Sequence, residues 1–364
     1  MKVLLLILAV VVGLVLMLEV GLRALLGLGN PLIYLADAEI GYRLAPNQRT
    51  RRFGNRIAIN EYSMRSPPIS LKRSPSTLRV LLLGDSVANG AWWTDQAKTI
   101  SSLIEAQLEG MVGEVTGESL KIQPFFERVE VLNASANSWG PPNELAYLKR
   151  FGTFEAQAVV LLINTDDLFA TAPTSAPVGR DRNYPNHKPL LALGEVFRRY
   201  LLPALPLPEM PAVKAEAGVS VMRSDSEALT PPEPDRVGFN LEAIRQIQAL
   251  ANVGGAQFLI AMTPLLREIG EPGSRDYEVK ARMRLFEFAQ NQRITYLDFL
   301  AEFNGMQTPE ALYRDHIHLS PQGNQKVSEL ITRSLRLFLP PVVPPAATTK
   351  TTNSDREESQ GNEN

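Results

Sequence analysis

From Val3 to Leu18 the chain is wholly apolar apart from Gly13, and the apolar pattern continues past Glu19 and Arg23 to Leu28. About 20 apolar residues are needed for a helix to span a bilayer, and the run reaches that length if Glu19 and Arg23, one turn apart, pair at the interface. A membrane-spanning signal-anchor over residues 1–28 is therefore predicted. A cleaved signal peptide competes with it, but no small-x-small site follows the run closely, and Ala36-Asp37-Ala38 is too distant. Lys2 and the amino terminus lie on one side and Arg23 on the other, so the positive-inside signal is weak. The expected orientation keeps the amino terminus inside and the rest of the chain outside, in a single pass.

Residues 29–78 read as loop, a collar between membrane and domain, with Pro31, Pro46, Pro67, Pro68 and Pro75, many arginines and one short strand at 57–59. Beyond it the period of the apolar pattern switches repeatedly. Short apolar runs predict strands at 79–83, 129–132, 158–163, 257–263 and 295–297. Between them helices are predicted at 143–151, 240–252 and 276–290, with two more carried by Ile100, Leu103, Ile104 and Leu108 and by Val327, Leu330, Ile331, Leu335 and Phe338. Strands alternating with helices imply an α/β domain over 79–338, a parallel sheet covered on both faces. Ser320 and Pro321 form a helix start, a good N-cap followed by a residue suited to the first turn.

Two stretches depart from this alternation. Residues 170–236 are dense in Pro, Ala and Ser around one amphipathic segment, 190–202, and such a length between core elements marks a lid or an insertion. Residues 339–364 are Pro-rich and then rich in Thr, Ser, Asn and Glu, and are expected to be disordered.

Composition narrows the chemistry. The formal net charge of -2, with no basic stripe, argues against nucleic acid as a partner. With no cysteine there is no disulfide, thiol nucleophile or cysteine-ligated metal. His187, His316 and His318 are the only histidines and show no ligand spacing, so neither a metal site nor a cofactor is expected.

The candidate chemistry lies in two short segments. Gly84-Asp85-Ser86 ends the first strand of the domain, where open α/β sheets place their ligands, and Asp315-His316-Ile317-His318 precedes the last helix. A serine hydroxyl needs an imidazole to take its proton and a carboxylate to hold that imidazole in the right tautomer. Ser86, His318 and Asp315 fill those roles. Gly84 permits the sharp turn, and Asp85 is expected to tie the loop by hydrogen bonds. His316 and His187 read as surface histidines.

These segments, Leu83-Gly84-Asp85-Ser86-Val87-Ala88-Asn89-Gly90 and Asp315-His316-Ile317-His318-Leu319-Ser320-Pro321-Gln322-Gly323, resemble the first and last blocks of the SGNH/GDSL hydrolases. The resemblance runs from about residue 79 to 338. It implies a flavodoxin-like three-layer α/β/α sandwich and serine acyl chemistry. It also implies oxyanion donors from the Ser86 N–H, a glycine N–H in a second block and an asparagine side chain in a third. In the second block, Asn133-Ala134-Ser135-Ala136-Asn137-Ser138-Trp139-Gly140, the glycine position falls on Ser138, with Gly140 as the neighbouring match.

The third block, Ile163-Asn164-Thr165-Asp166-Asp167-Leu168, puts Asp166 in place of the asparagine. An ionised carboxylate repels an oxyanion, so Asp166 is protonated, or Asn164 donates instead, or this donor is missing. Trp92, Trp93 and Trp139 are expected in loops bordering Ser86, as core packing or as a platform for a sugar ring or acyl chain.

The resemblance implies a membrane-anchored serine esterase acting on an acyl or acetyl ester, its substrate an acylated carbohydrate or a lipid. One alternative is an O-acyltransferase that acts on extracellular polysaccharide. Another is a scaffold or binding protein that kept the fold, which Asp166 favours and the intact Ser86, Asp315 and His318 oppose.

Overall fold

The computed structural model describes residues 1–110, 126–202 and 235–339. The tail expected to be disordered, apart from Leu339, and much of the 170–236 insertion lie outside these described residues.

The chain opens with helix α1 (Lys2–Leu26), followed by two antiparallel hairpins, β1 (Tyr34–Asp37) with β2 (Gly41–Leu44) and β3 (Arg49–Arg52) with β4 (Asn55–Ala58). The domain proper then runs β5 (Thr77–Gly84), α2 (Ser86–Asn89), α3 (Ile100–Glu109), β6 (Arg128–Ser135), α4 (Pro141–Phe151) and β7 (Ala158–Asn164). It continues with α5 (Ala192–Val196), α6 (Arg236–Val253), β8 (Gln257–Thr263), α7 (Asp276–Gln292), β9 (Thr295–Asp298), α8 (Leu300–Asn304) and α9 (Pro321–Leu335). Strands β5 to β9 form one parallel sheet in the order β6-β5-β7-β8-β9. This is the expected α/β class. The order reverses at β5, between β6 and β7, so the carboxyl end of β5 opens onto a crevice.

Alternation along the strands builds two cores. Leu81 and Leu83 of β5, Val159, Leu161 and Ile163 of β7 and Ile260 and Met262 of β8 face one side, where Leu145 and Leu148 of α4, Ile244 and Ile247 of α6 and Leu285 of α7 cover them. Leu78, Val80 and Leu82, with Val160 and Leu162, face the other, under Ile100 and Ile104 of α3 and Val327, Ile331 and Leu335 of α9. Strands buried on both faces explain why these segments read as continuous apolar runs.

Helix starts follow their caps. Ser320 Oγ accepts from the Gly323 N–H, as expected for α9, and α6 begins four residues before the predicted start because Asp235 caps the Gly238 N–H.

The collar is not a loose linker. Tyr34, Ile40, Tyr42, Leu44, Ile57 and Ile59 are buried in the same core as α4 and α6, and the Arg65 N–H donates to the Asn133 carbonyl of β6. The β3–β4 turn places Phe53 at φ 46° and Gly54 at φ 88°, the two positive φ values of a tight two-residue hairpin.

Candidate active site

Strand β5 delivers Gly84, Asp85 and Ser86 to the crevice. A Cβ on Gly84 would lie 2.6 Å from the Leu162 carbonyl oxygen of β7, so only glycine fits where the chain turns out of the sheet. The Asp85 carboxylate caps α2 by accepting the Val87 N–H at 2.7 Å. That turn leaves Ser86 as the first residue of α2, its own N–H without a partner within the helix.

The opposite wall is the loop 314–318, closed by a β-bridge between Tyr313 and Leu319 and by the Ser320 N–H to the Leu312 carbonyl. Nε2 of His318 lies 3.0 Å from Oγ of Ser86, and Nδ1 lies 2.8 Å from Oδ2 of Asp315. Asp315 also accepts the N–H groups of Ile317 and His318. Burial pushes its carboxyl up, but these donors and the imidazole outweigh that and hold it below the ordinary range. The Trp93 ring packs edge-on against the His318 ring, centroids 4.7 Å apart. His316 points into solvent, its Nδ1 3.9 Å from Asp315 Oδ1 and its carbonyl accepting the Leu266 N–H.

Ser86, Trp92, Trp93, Asn137, Ser138 and His318 line a cavity of about 320 Å³, to which Pro31, Leu32, Tyr34 and Arg52 of the collar and Tyr184 and Arg199 of the insertion also contribute. Among the described residues no group of three or more His, Cys, Asp or Glu side chains is placed to hold a metal ion.

The sequence-expected oxyanion donors are dispersed. Ser138 lines the cavity with φ 56°, the left-handed conformation that glycine adopts freely, and among the described residues no acceptor takes its N–H. Its hydroxyl accepts from Tyr184. Gly140 is not available as a donor, because it is the N-cap of α4 and its N–H donates to Asn143 Oδ1 at 3.1 Å.

Asn164 does not swing in. Its Nδ2 donates to Asp85 Oδ2 at 3.0 Å and Asp167 Oδ2 at 2.8 Å, and its Oδ1 accepts the Asp166 N–H. Asp166 itself is exposed and does not line the cavity, so its charge does not stand where an oxyanion would form. Trp139 is also displaced from the expected border of the site. It is 1% exposed, with its indole N–H on the Tyr42 carbonyl.

Asn137 was not singled out in the sequence. It lines the cavity beside Ser138, its carbonyl is held by the Tyr42 hydroxyl, and its carboxamide Oδ1 is buried with no partner among the described residues. Behind Ser86 three buried carboxyls converge. Burial raises Asp85, and burial together with the Asp85 charge raises Glu144 and Asp167 well above the ordinary range. Among the described residues Glu144 has no hydrogen-bond partner on either oxygen, whereas Asp167 accepts the backbone and the carboxamide N–H of Asn164.

A five-stranded parallel sheet between helical layers, with a Gly-Asp-Ser turn ending its first strand, is the architecture of the SGNH hydrolases. Residues 82–326, about two thirds of the chain, match the GDSL-like lipase/acylhydrolase family, and the chain belongs to that family. It is an ester-hydrolysing enzyme. No curated protein matches it in sequence.

Solved structures that resemble it include TesA, with 15% identity and a TM-score of 0.42 over 72% of this chain and 99% of that one. The lipase/acylhydrolase from Enterococcus faecalis has 14% identity and a TM-score of 0.41 over 72% and 98%. A catalytic mutant of Axe2, an acetylxylan esterase from Geobacillus stearothermophilus, has 12% identity and a TM-score of 0.41 over 71% and 94%.

Proposed function

We propose that the chain is a membrane-anchored serine esterase in which Ser86 is the nucleophile, His318 the general base and Asp315 the residue that orients the imidazole. The observation that carries this reading is the hydrogen-bonded series Ser86 Oγ to His318 Nε2 at 3.0 Å and His318 Nδ1 to Asp315 at 2.8 Å. Ser86 Oγ attacks the ester carbonyl as His318 takes its proton. The carbonyl oxygen becomes negative and is received by the N–H groups of Ser86 and Ser138, with the Asn137 carboxamide as a third donor. His318 then protonates the departing alkoxide, and a water attacks the acyl-enzyme by the same route.

The two remaining parts of the site are supporting ones. Asp85 holds the nucleophile's turn, and Asn164 holds Asp85. In this reading α1 spans the membrane, amino terminus inside, and the domain lies on the outer side. The scaffold alternative loses its main support, since Asp166 is not in the cavity.

Trp92 and Trp93 on the cavity wall favour a second reading, in which a carbohydrate hydroxyl replaces water as acceptor. The test is p-nitrophenyl acetate turnover and fluorophosphonate labelling of the full chain in detergent, beside Ser86→Ala. Turnover and labelling that vanish together in the variant support the reading. Labelling that survives Ser86→Ala overturns it. Turnover that rises on adding a soluble oligosaccharide, with acylated sugar as product, selects the transferase.

A further inference from the structure

Every residue from Val3 to Leu18 except Gly13 is exposed, and among the described residues the helix first meets the rest of the fold at Glu19. There the insertion is clipped to it. Glu19 pairs with Arg23 at 2.6 Å and accepts the N–H groups of Ala192 and Leu193, at the start of α5, while Arg23 donates to the Leu190 carbonyl. Just past the end of α1, Glu195 of α5 accepts the Gly29 N–H and binds the Arg52 guanidinium at 2.6 Å, both side chains 5% exposed. The segment 190–202 is therefore fixed at the level of the last two turns of α1.

That level is set by length. The uncharged run from Val3 to Leu18 rises about 24 Å at 1.5 Å per residue, short of a hydrocarbon core of about 30 Å. To span it, the helix must sink through Glu19 and towards Arg23, which brings the clipped segment to the lipid–water boundary.

The outward surface of that segment has matching chemistry. Leu190, Leu191, Phe197, Tyr200, Leu201 and Leu202 are all exposed, Leu190 at 95%, and Leu25, Leu26 and Phe53 beside the end of α1 are exposed too. Arg198 and Lys188 stand exposed among them. Leucines and aromatics flanked by bases are the composition of a segment lying in a membrane interface, whereas a soluble surface seldom carries so large an apolar patch. The same segment supplies Arg199, and the chain just after α1 supplies Pro31 and Leu32, to the wall of the cavity that holds Ser86.

We infer that the exposed face of segment 190–202 seats in the lipid interface of the membrane that α1 spans, so that the cavity above Ser86 takes its ester from the membrane surface. The inference rests on the proposed reading of α1 as a span and of Ser86 as the nucleophile.

The chain has no cysteine, so a single introduced one is labelled uniquely. The full chain with Leu201→Cys, Val12→Cys or Val253→Cys, each carrying an environment-sensitive fluorophore, is reconstituted into vesicles of phosphatidylcholine and phosphatidylglycerol. Bromine-labelled phosphatidylcholine is then added as quencher. Quenching at positions 12 and 201 several-fold above that at 253 is expected. Quenching at 12 but not at 201 overturns the inference while leaving the anchor standing, and assigns the face to a protein partner or to solvent. No quenching at 12 removes the anchor and the inference with it.

A second measurement compares Leu201→Ser/Leu202→Ser with wild type on p-nitrophenyl acetate in solution and on a long-chain p-nitrophenyl ester carried in the vesicles. Loss on the vesicle-borne ester alone, by several-fold, supports delivery from the membrane, and equal rates on both esters overturn it. Loss of both activities in Ser86→Ala marks the nucleophile independently of either result.

Discussion

Nε2 of His318 stands 3.0 Å from Oγ of Ser86, although 232 residues separate the two along the chain. The contact is made by two rigid parts, the turn at the end of β5 and a loop pinned between the Tyr313–Leu319 bridge and the capped start of α9. An imidazole held this way keeps its place beside Ser86 without substrate.

Removing either member should therefore be severe. Ser86→Ala and His318→Ala are each expected to lower kcat for a short ester by on the order of 10⁶-fold, and Asp315→Ala by about 10⁴-fold. His316→Ala should retain wild-type kcat, because its side chain is 80% exposed and its Nδ1 stands 3.9 Å from Asp315 Oδ1, beyond hydrogen-bond reach. Steady-state kinetics on p-nitrophenyl acetate separate the two histidines, and comparable loss in His316→Ala would reject the assignment of His318.

The proposed oxyanion donors give an opposite pair of outcomes. Asn137→Ala should lower kcat by about 10²- to 10³-fold with little change in KM, the signature of a donor used in the transition state. Asp166→Asn should leave kcat unchanged, since Asp166 is outside the cavity. A rise in rate in Asp166→Asn would mean that its charge does reach the oxyanion. Ser138→Gly should keep its rate, because the proposed donor there is a backbone N–H and glycine prefers the φ of 56°.

Much of this was legible in the chain. The strands buried on both faces appear as uninterrupted apolar runs, and Gly84-Asp85-Ser86 and Asp315 to His318 mark the two sides of the crevice. What stayed hidden depends on neighbours in space. The hairpins of the collar are built from four-residue strands such as Arg49–Arg52, whose polar alternation carries no apolar signal. Asn164 reads as a spare donor until Asp85 and Asp167 are seen to occupy it. The place of Asn137 in the cavity depends on the left-handed turn at Ser138, which serine does not announce as glycine would.

The carboxyls behind Ser86 link stability to pH. Burial first, and then the Asp85 charge, raise Glu144. A carboxyl with a raised folded-state pKa stabilises fully below its unfolded value, about 4.3, and that contribution is lost as pH rises through the folded value. Stability should thus decline as pH rises from about 4.3 towards the raised folded value, and Glu144→Gln should reduce the slope by up to about 1.4 kcal/mol per pH unit in that window. Thermal unfolding across pH checks it, and parallel curves for both proteins would show that Glu144 does not titrate there.

Two acidic residues, Glu195 on α5 and Glu242 on α6, separate buried from exposed charge. Glu195 accepts Arg52 at 2.6 Å, Arg199 at 3.1 Å and the Gly29 N–H at 2.6 Å, while the Arg52 side chain is only 5% exposed. Deleting that carboxylate leaves a buried guanidinium without its counter-charge, and Glu195→Ala is expected to cost about 3–5 kcal/mol. Glu195→Gln keeps acceptor geometry but not charge, and should cost less. Glu242, on α6, pairs with Arg245 at 2.7 Å with both side chains 49% exposed, so Glu242→Ala should leave stability unchanged. Chemical denaturation of the three variants in detergent measures the contrast. Because Glu195 also fastens α5 beside the end of α1, Glu195→Ala should make segment 190–202 more open to protease, whereas Glu242→Ala should not. Equal protection in the two variants would place the hold on that segment with its remaining contacts, those of Glu19 and Arg23 to residues 190–193.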